Sequence, residues 1–189
     1  MEYGAPNSKF ENVMINISMG YFFYDTFSMI LTNTHDTFIL IHHSLVISGI
    51  YVCLLTDMAA TDIMAGFFIS EVSNPFMHIK ECMKILGLTS TRFFLWNEIT
   101  FYVIYMIFRI PVGIPIVYGI CVSENSPIFM KFVSFCILLQ SLKWSYTMFN
   151  ILQKRYEEML WRQERKIELA WFTPNPQMQK MQDEKKKKE

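Results

Sequence analysis

Six ionisable side chains stand inside long apolar runs of this 189-residue chain: Asp25, His42, His43, Glu71, Arg109 and Lys143. Charges in such surroundings are costly, so they usually face a protein interior, pair with one another and mark candidate sites. Two acids and two bases could neutralise one another in a buried network with the histidines as hydrogen-bond intermediaries, and Ser73 adds a hydroxyl beside Glu71. Two readings follow. In one, the network fixes helix packing and meets lipid. In the other, His42 or His43 is a general base oriented by Glu71, and these three are the catalytic candidates. Consecutive helical residues point about 100° apart, so the histidine pair is poorly placed to grip one metal. Ser44, Ser48, Ser70 and Ser73 offer hydroxyl nucleophiles, yet none stands in a Gly-x-Ser-x-Gly elbow, and no Gly-rich phosphate loop is present. The expectation is no metal and no cofactor, with phospholipid or sphingolipid as the molecule such helices could bind.

The elements that must position these residues are transmembrane helices. The chain is 52% apolar, 16% aromatic and 18% charged, poorer in charge than the roughly 25% of a soluble domain. A bilayer core needs roughly 20 apolar residues per helix, and five stretches reach that length: 12–31, 37–55, 59–79, 93–122 and 127–152. The fold class expected is all-α, a polytopic bundle of about five spans. Glu71, Asn74 and Pro75 interrupt the third span, and Pro111, Gly113, Pro115 and Gly119 predict a kink in the fourth. Cys53, Cys82, Cys121 and Cys136 stand alone and read as small buried hydrophobes. No internal repeat is evident.

Formal net charge is zero, but 12 of the 17 Lys and Arg residues fall from Lys131 onward. Lys80, Lys84 and Arg92 share the loop between spans three and four, whereas Asp57, Asp62 and Glu124 sit in the loops after spans two and four. Basic loops mark the cytosolic or matrix side, which puts the C-terminus there, in the endoplasmic reticulum or the mitochondrial inner membrane. The segment 1–11 carries no basic, cleavable leader. Beyond the bundle at 12–152, Leu152, Tyr156, Leu160, Gln163, Ile167 and Trp171 form one helical stripe, with Lys154, Glu158 and Arg162 at i,i+4 on another face. That spacing predicts a charged helix over 153–172 projecting from the membrane, stopped by Thr173, Pro174 and Pro176. Its contact residues towards a protein partner or the lipid surface would be Tyr156, Leu160, Ile167 and Trp171. The tail 173–189 ends in Lys185, Lys186, Lys187 and Lys188, either a lipid-attracted basic run or, through Lys186 and Lys187, a dilysine retrieval signal.

Several of these segments together resemble the TLC-domain family of translocon-associated, longevity-assurance and ceroid-lipofuscinosis membrane proteins. Ser18 to Asp25 looks like that family's Gly-Tyr-x-x-x-Asp span, His42-His43 follows, and Glu71-Val72-Ser73-Asn74-Pro75-Phe76 is similar to the E-x-S/T-x-P-F segment of the branch that is not ceramide synthase. Arg109-Ile110 also fits, so the likeness runs over 12–152. The resemblance implies a helical bundle in contact with lipid. Ceramide synthases carry a second His-Asp pair and a further Asp one turn on, where this chain has Ser70-Glu71 and Asn74. Family members usually have one or two spans before the Gly-Tyr-x-x-x-Asp helix, and eleven residues precede span one here. The function expected is therefore a non-catalytic, TLC-like accessory subunit of a larger membrane assembly, whose partners are membrane lipids and other membrane protein subunits, not nucleic acid. The alternatives are a lipid acyltransferase using His42 or His43 and a stand-alone lipid sensor or regulator of membrane composition.

Overall fold

The computed structural model describes residues 2–33 and 36–178, and they are helical, with a single β-bridge between Pro6 and Met58. The helices are α1 (Lys9–Leu31), α2 (Thr37–Thr56), α3 (Ala60–Glu71), α4 (Asn74–Ile85), α5 (Arg92–Ile107), a π-helical turn (Phe108–Val112), α6 (Gly113–Val122) and α7 (Ile128–Glu164). The chain divides into two compact units, Met1–Ser70 with Phe108–Trp144, and Glu71–Ile107 with Ser145–Glu189.

Among the described residues, three helical stretches are long and apolar enough to cross a membrane: Thr37–Thr56, Arg92–Val122 and Ile128–Glu164. The count of about five is compatible with this. Helix α1 has 23 residues but is diluted by Asn12, Asn16, Ser18 and Asp25. The expected third span is two helices of 12 residues each, about 18 Å apiece. Pro75 causes the break: it has no N–H, and its ring clashes with the carbonyl four residues back, which is Glu71, where α3 ends. Pro111 acts in the same way on the fourth span. The carbonyl four residues before it belongs to Ile107, where α5 ends, and the chain widens into the π turn before α6.

In the first unit, α1 begins at a capping box in which Ser8 and Glu11 satisfy each other's backbone N–H groups. Ile15 and Phe22 of α1 pack with Val46, Ile50 and Cys53 of α2 in the core. The segment before α1 is tied across the α2–α3 turn. Asn7 N–H donates to Asp57 O (2.9 Å), Ala59 N–H to Ala5 O (2.8 Å) and Ala60 N–H to Asn7 Oδ1 (2.8 Å).

The second unit is centred on α4 and α5, with Phe94, Phe101, Tyr102 and Tyr105 buried. Here the expected C-terminal helix is corrected: α7 stops at Glu164, not at 172. Lys166 adopts a left-handed conformation (φ 53°), Lys166 N–H donates to Gln163 O and Ile167 N–H to Arg162 O, a Schellman cap made without glycine. The following residues run beside the start of α5, where Arg92 N–H donates to Ala170 O (2.8 Å) and Phe93 N–H to Trp171 O (3.2 Å). Ile167 and Trp171 therefore leave the helical stripe, while Tyr156 and Leu160 stay on α7 and are exposed. Lys185, Lys186, Lys187 and Lys188 lie outside the described residues. Of the cysteines, Cys53 is buried as expected, whereas Cys82 is exposed and Cys121 and Cys136 are half-buried; all four are free thiols.

Candidate functional site

Within the first unit, α2, α3, the π turn with α6, and α7 enclose a cavity of about 100 Å³. Its wall is mostly apolar, including Val46, Phe67, Ile116 and Val133, with Arg109 and Asp62 as its charged members. Both charged residues are buried, at 6% and 3% exposure. Glycines open the space. A Cβ at Gly66 would meet nothing within 4 Å, whereas one at Gly113 would lie 3.3 Å from the Phe108 carbonyl.

Arg109 is held by the two proline-induced breaks. It sits in the π turn made by Pro111, donating from Nη1 to Ser141 Oγ (2.9 Å) and from Nη2 to Ser70 O (3.1 Å). Ser70 lies at the end of α3, where carbonyls lack intrahelical donors, and the guanidinium supplies one. Asp62 occupies the first turn of α3, a favourable place for a carboxylate. Its Oδ2 accepts from Gly4 N–H (2.8 Å), and its buried Oδ1 has no hydrogen-bond partner among the described residues. Gly4 is required there: its φ is +74°, and a Cβ would come within 2.6 Å of the Asn125–Ser126 backbone. Asp62, Gly66 and Ser70 are four residues apart on α3 and line one face. The carboxylate and the carbonyl held by Arg109 are thus separated by roughly 12 Å of helix axis, with the open glycine position midway.

Of the residues singled out from the sequence, Asp25 and His43 come together: Oδ2 to Nε2 is 3.6 Å, an electrostatic contact longer than a hydrogen bond. Thr26 orients the ring. Its hydroxyl donates to Phe22 O and lies 2.9 Å from His43 Nδ1, while Nε2 is turned towards Asp25. His42 is buried between the His43 and Trp144 rings, with centroids 5.9 and 5.8 Å away. Lys143 lies over the Phe38 ring, and the Phe38 carbonyl accepts from Gln140 Nε2. The Ser44 and Ser48 hydroxyls donate to their own helix, at Leu40 O and Leu45 O. Neither histidine lines the cavity. In the second unit, Glu71 accepts from Asn74 Nδ2, and Ser73 is buried at the start of α4. No group of three or more His, Cys, Asp and Glu side chains that could hold a metal is found among the described residues.

Glu98, Arg155 and Asp62 escape the sequence-derived set. Glu98 is 2% exposed in the second unit, and its carboxylate meets Arg155 Nε (2.6 Å), Lys80 Nζ (3.1 Å) and Tyr102 OH (3.1 Å). An acid within 93–122 is selected by the same rule that selects Asp25 and Glu71. Arg155 falls three residues past the expected end of its span, and Asp62, although inside the 59–79 stretch, is grouped there with the acids of the preceding loop, whereas the structure puts it in the first turn of α3.

These features fit the comparisons with known proteins. The model of the TLC domain matches residues 2–153. TLC domain-containing protein 2 of Danio rerio is 26% identical over 106 residues, 55% of this chain and 43% of that protein. The chain thus spans less than half the length of this curated relative. No solved structure matches. Apolar membrane-length helices and a domain match over most of the sequence lead to one assignment: the chain belongs to the TLC-domain family of integral membrane proteins.

Proposed function

We propose that this protein is a non-catalytic TLC-domain membrane protein that packs a lipid chain among the helices of its first unit and serves as an accessory subunit of a larger membrane assembly. The cavity carries this reading. An apolar space of about 100 Å³ compares with the roughly 150 Å³ that stays dry and takes a benzene-sized guest, so it suits a short run of methylenes. Gly66 provides room where any other residue would project a side chain. Against chemistry at the histidines stand the Ser44 and Ser48 hydroxyls, which are committed to their own helix. Arg162, Arg165 and Lys166 at the end of α7 favour the cytosolic or matrix face for that end. The exposed Tyr156 and Leu160 on α7 offer a contact for another subunit.

The test is lipid analysis of protein purified in mild detergent, comparing the native chain with Gly66→Leu. The substitution occupies the cavity and replaces a mid-helix glycine, a change worth up to about 1 kcal/mol in favour of the helix. Folding should therefore survive while a defined co-purifying lipid falls several-fold. Equal lipid in a folded variant would overturn the cavity reading. The accessory role is tested separately by gentle extraction from the native membrane and mass spectrometry of co-migrating proteins. Migration as a lone chain in detergent would refute it.

A further inference from the structure

The second unit contains a different kind of opening, a pocket of about 580 Å³ beside the end of α7. Arg92, Arg162 and Lys166 line it with the single carboxylate of Glu168, and Leu95 and Leu169 are among its apolar lining residues. Three cations and one acid leave two positive charges in excess. The pocket is built by backbone: the Schellman cap at Lys166 turns the chain out of α7, and the hydrogen bonds from Arg92 and Phe93 to Ala170 and Trp171 fix the returning segment along α5.

Arg162 requires an explanation. It is 7% exposed, and its contacts among the described residues engage Nε: Glu158 O at 3.4 Å and, beyond hydrogen-bond length, Glu158 Oε1 at 3.8 Å. Glu158 is shared: its Oε2 is held by Arg155 Nη1 at 2.6 Å, and only the more distant Oε1 is turned to Arg162. A nearly buried guanidinium without a close carboxylate is costly, because its lost hydration is poorly replaced. Its terminal nitrogens form a planar fork suited to two oxygens of one anion. Helix C-termini attract cations through the backbone dipole, which accounts for Arg165 and Lys166 but not for the burial of Arg162.

The geometry points to a phosphate-binding site, with Arg162 as the bidentate ligand and Arg92 and Lys166 as supporting charges. The phosphate could be carried by an anionic lipid headgroup or be free in solution. A phosphate monoester carries about −1.5 to −2 at neutral pH, which suits the positive excess of the lining residues. The apolar lining residues favour the lipid source, since they offer contacts for the glycerol and first methylenes beside a headgroup. This inference uses none of the cavity residues, so it stands apart from the proposed lipid chain in the first unit.

The experiment titrates the full-length chain in neutral detergent with short-chain phosphatidic acid and, separately, with inorganic phosphate, following adducts by native mass spectrometry and the thermal midpoint. Phosphatidic acid should bind, and Arg162→Gln should weaken it about tenfold, the loss of one charge-assisted bidentate contact. Arg92→Gln, on an exposed residue, should weaken it about threefold with an unchanged midpoint, so the test survives if Arg162→Gln fails to fold. Lys84→Gln, which removes a cation paired with Glu81, should change nothing. Inorganic phosphate competing at equal affinity would identify the free anion as the source, and lipid binding alone would identify the headgroup. Absence of both ligands from the native chain, or native affinity in folded Arg162→Gln and Arg92→Gln, would overturn the proposal.

Discussion

Glu98 in the second unit and Asp62 in the first are buried to nearly the same degree, at 2% and 3% exposure, yet their surroundings differ. Glu98 meets a lysine, an arginine and a tyrosine hydroxyl within 3.1 Å. Asp62 has one oxygen on a backbone N–H and the other on no described group. The second unit thus neutralises its buried acid with protein partners, while the first leaves unsatisfied capacity on a buried acid that lines its cavity. Buried ion pairs are weak evidence for stability in themselves, but removing one partner strands the rest. Charge in the second unit should therefore hold the fold, and charge in the first should be more dispensable to it.

The largest expected effect tests that contrast directly. Glu98→Gln leaves Lys80 and Arg155 without the carboxylate and should cost about 3–5 kcal/mol. At about 2–4 °C per kcal/mol for a chain of this size, the thermal midpoint in detergent should fall by roughly 6–20 °C. The counterpart is Asp25→Asn in the first unit. Its side chain is 39% exposed and 3.6 Å from His43, so the change should stay within about 1 kcal/mol. Equal losses from both substitutions would end the distinction.

A middle-sized effect should come from Asn7→Ala. The Asn7 side chain accepts from Ala60 N–H (2.8 Å), donates to Asn12 Oδ1 (2.9 Å) and reaches Cys53 O (3.3 Å). Its loss uncaps α3 next to Asp62, at about 1–3 kcal/mol. Hydrogen exchange should show the α3 first turn and the 2–8 segment opening together, with α5 unchanged. Protection lost evenly across α3 and α5 would mean that the first unit does not respond on its own.

Proline positions made much of the fold legible. Pro75 and Pro111 each end a helix at the residue four before them, so the interruption of span three and the break in span four follow from two residue types. The end of α7 was not legible, because its cap uses Lys166 in a left-handed conformation where glycine would have signalled a stop. Arg109 stands out as a charge in an apolar run. Its cavity does not, since Val46, the Asp62–Gly66 face of α3 and Ser141 come from segments far apart in sequence, and nothing local marks them as neighbours. Glu98 was legible in principle as an intramembrane acid, but its partner Arg155 lies 57 positions away.

A smaller change of opposite sign tests whether the first unit carries backbone strain beside the turn that Asn7 anchors. Ala59 has φ 70° and is 1% exposed, a conformation that disfavours residues with a Cβ. Ala59→Gly should raise stability by up to about 1 kcal/mol, less the small burial of one methyl. The midpoint should rise by no more than about 2–4 °C. A decrease would show that the buried methyl outweighs the strain.

The smallest effect concerns pH. The Glu11 carboxylate is held below its ordinary value of 4.5 by the Thr61 hydroxyl first, then by the Ser8 hydroxyl and backbone N–H. A group whose folded value is depressed contributes stability that is fully present above its unfolded value and is lost as pH falls through the folded one. The first turn of α1 should therefore loosen below about pH 4.5 as Glu11 takes up its proton and becomes a weaker, uncharged acceptor for Ser8 N–H. Because the carboxylate is largely solvated, solvent screening keeps the effect small. Hydrogen exchange of the 8–12 amides at pH 5 and pH 3.5 should show it after correction for intrinsic exchange rates. Glu11→Gln should be looser at pH 5 and show a weaker pH dependence. If native and variant chains have the same pH dependence, the loosening arises elsewhere in the first unit, and Asp62, which Gly4 contacts in the same N-terminal segment, is the next residue to replace.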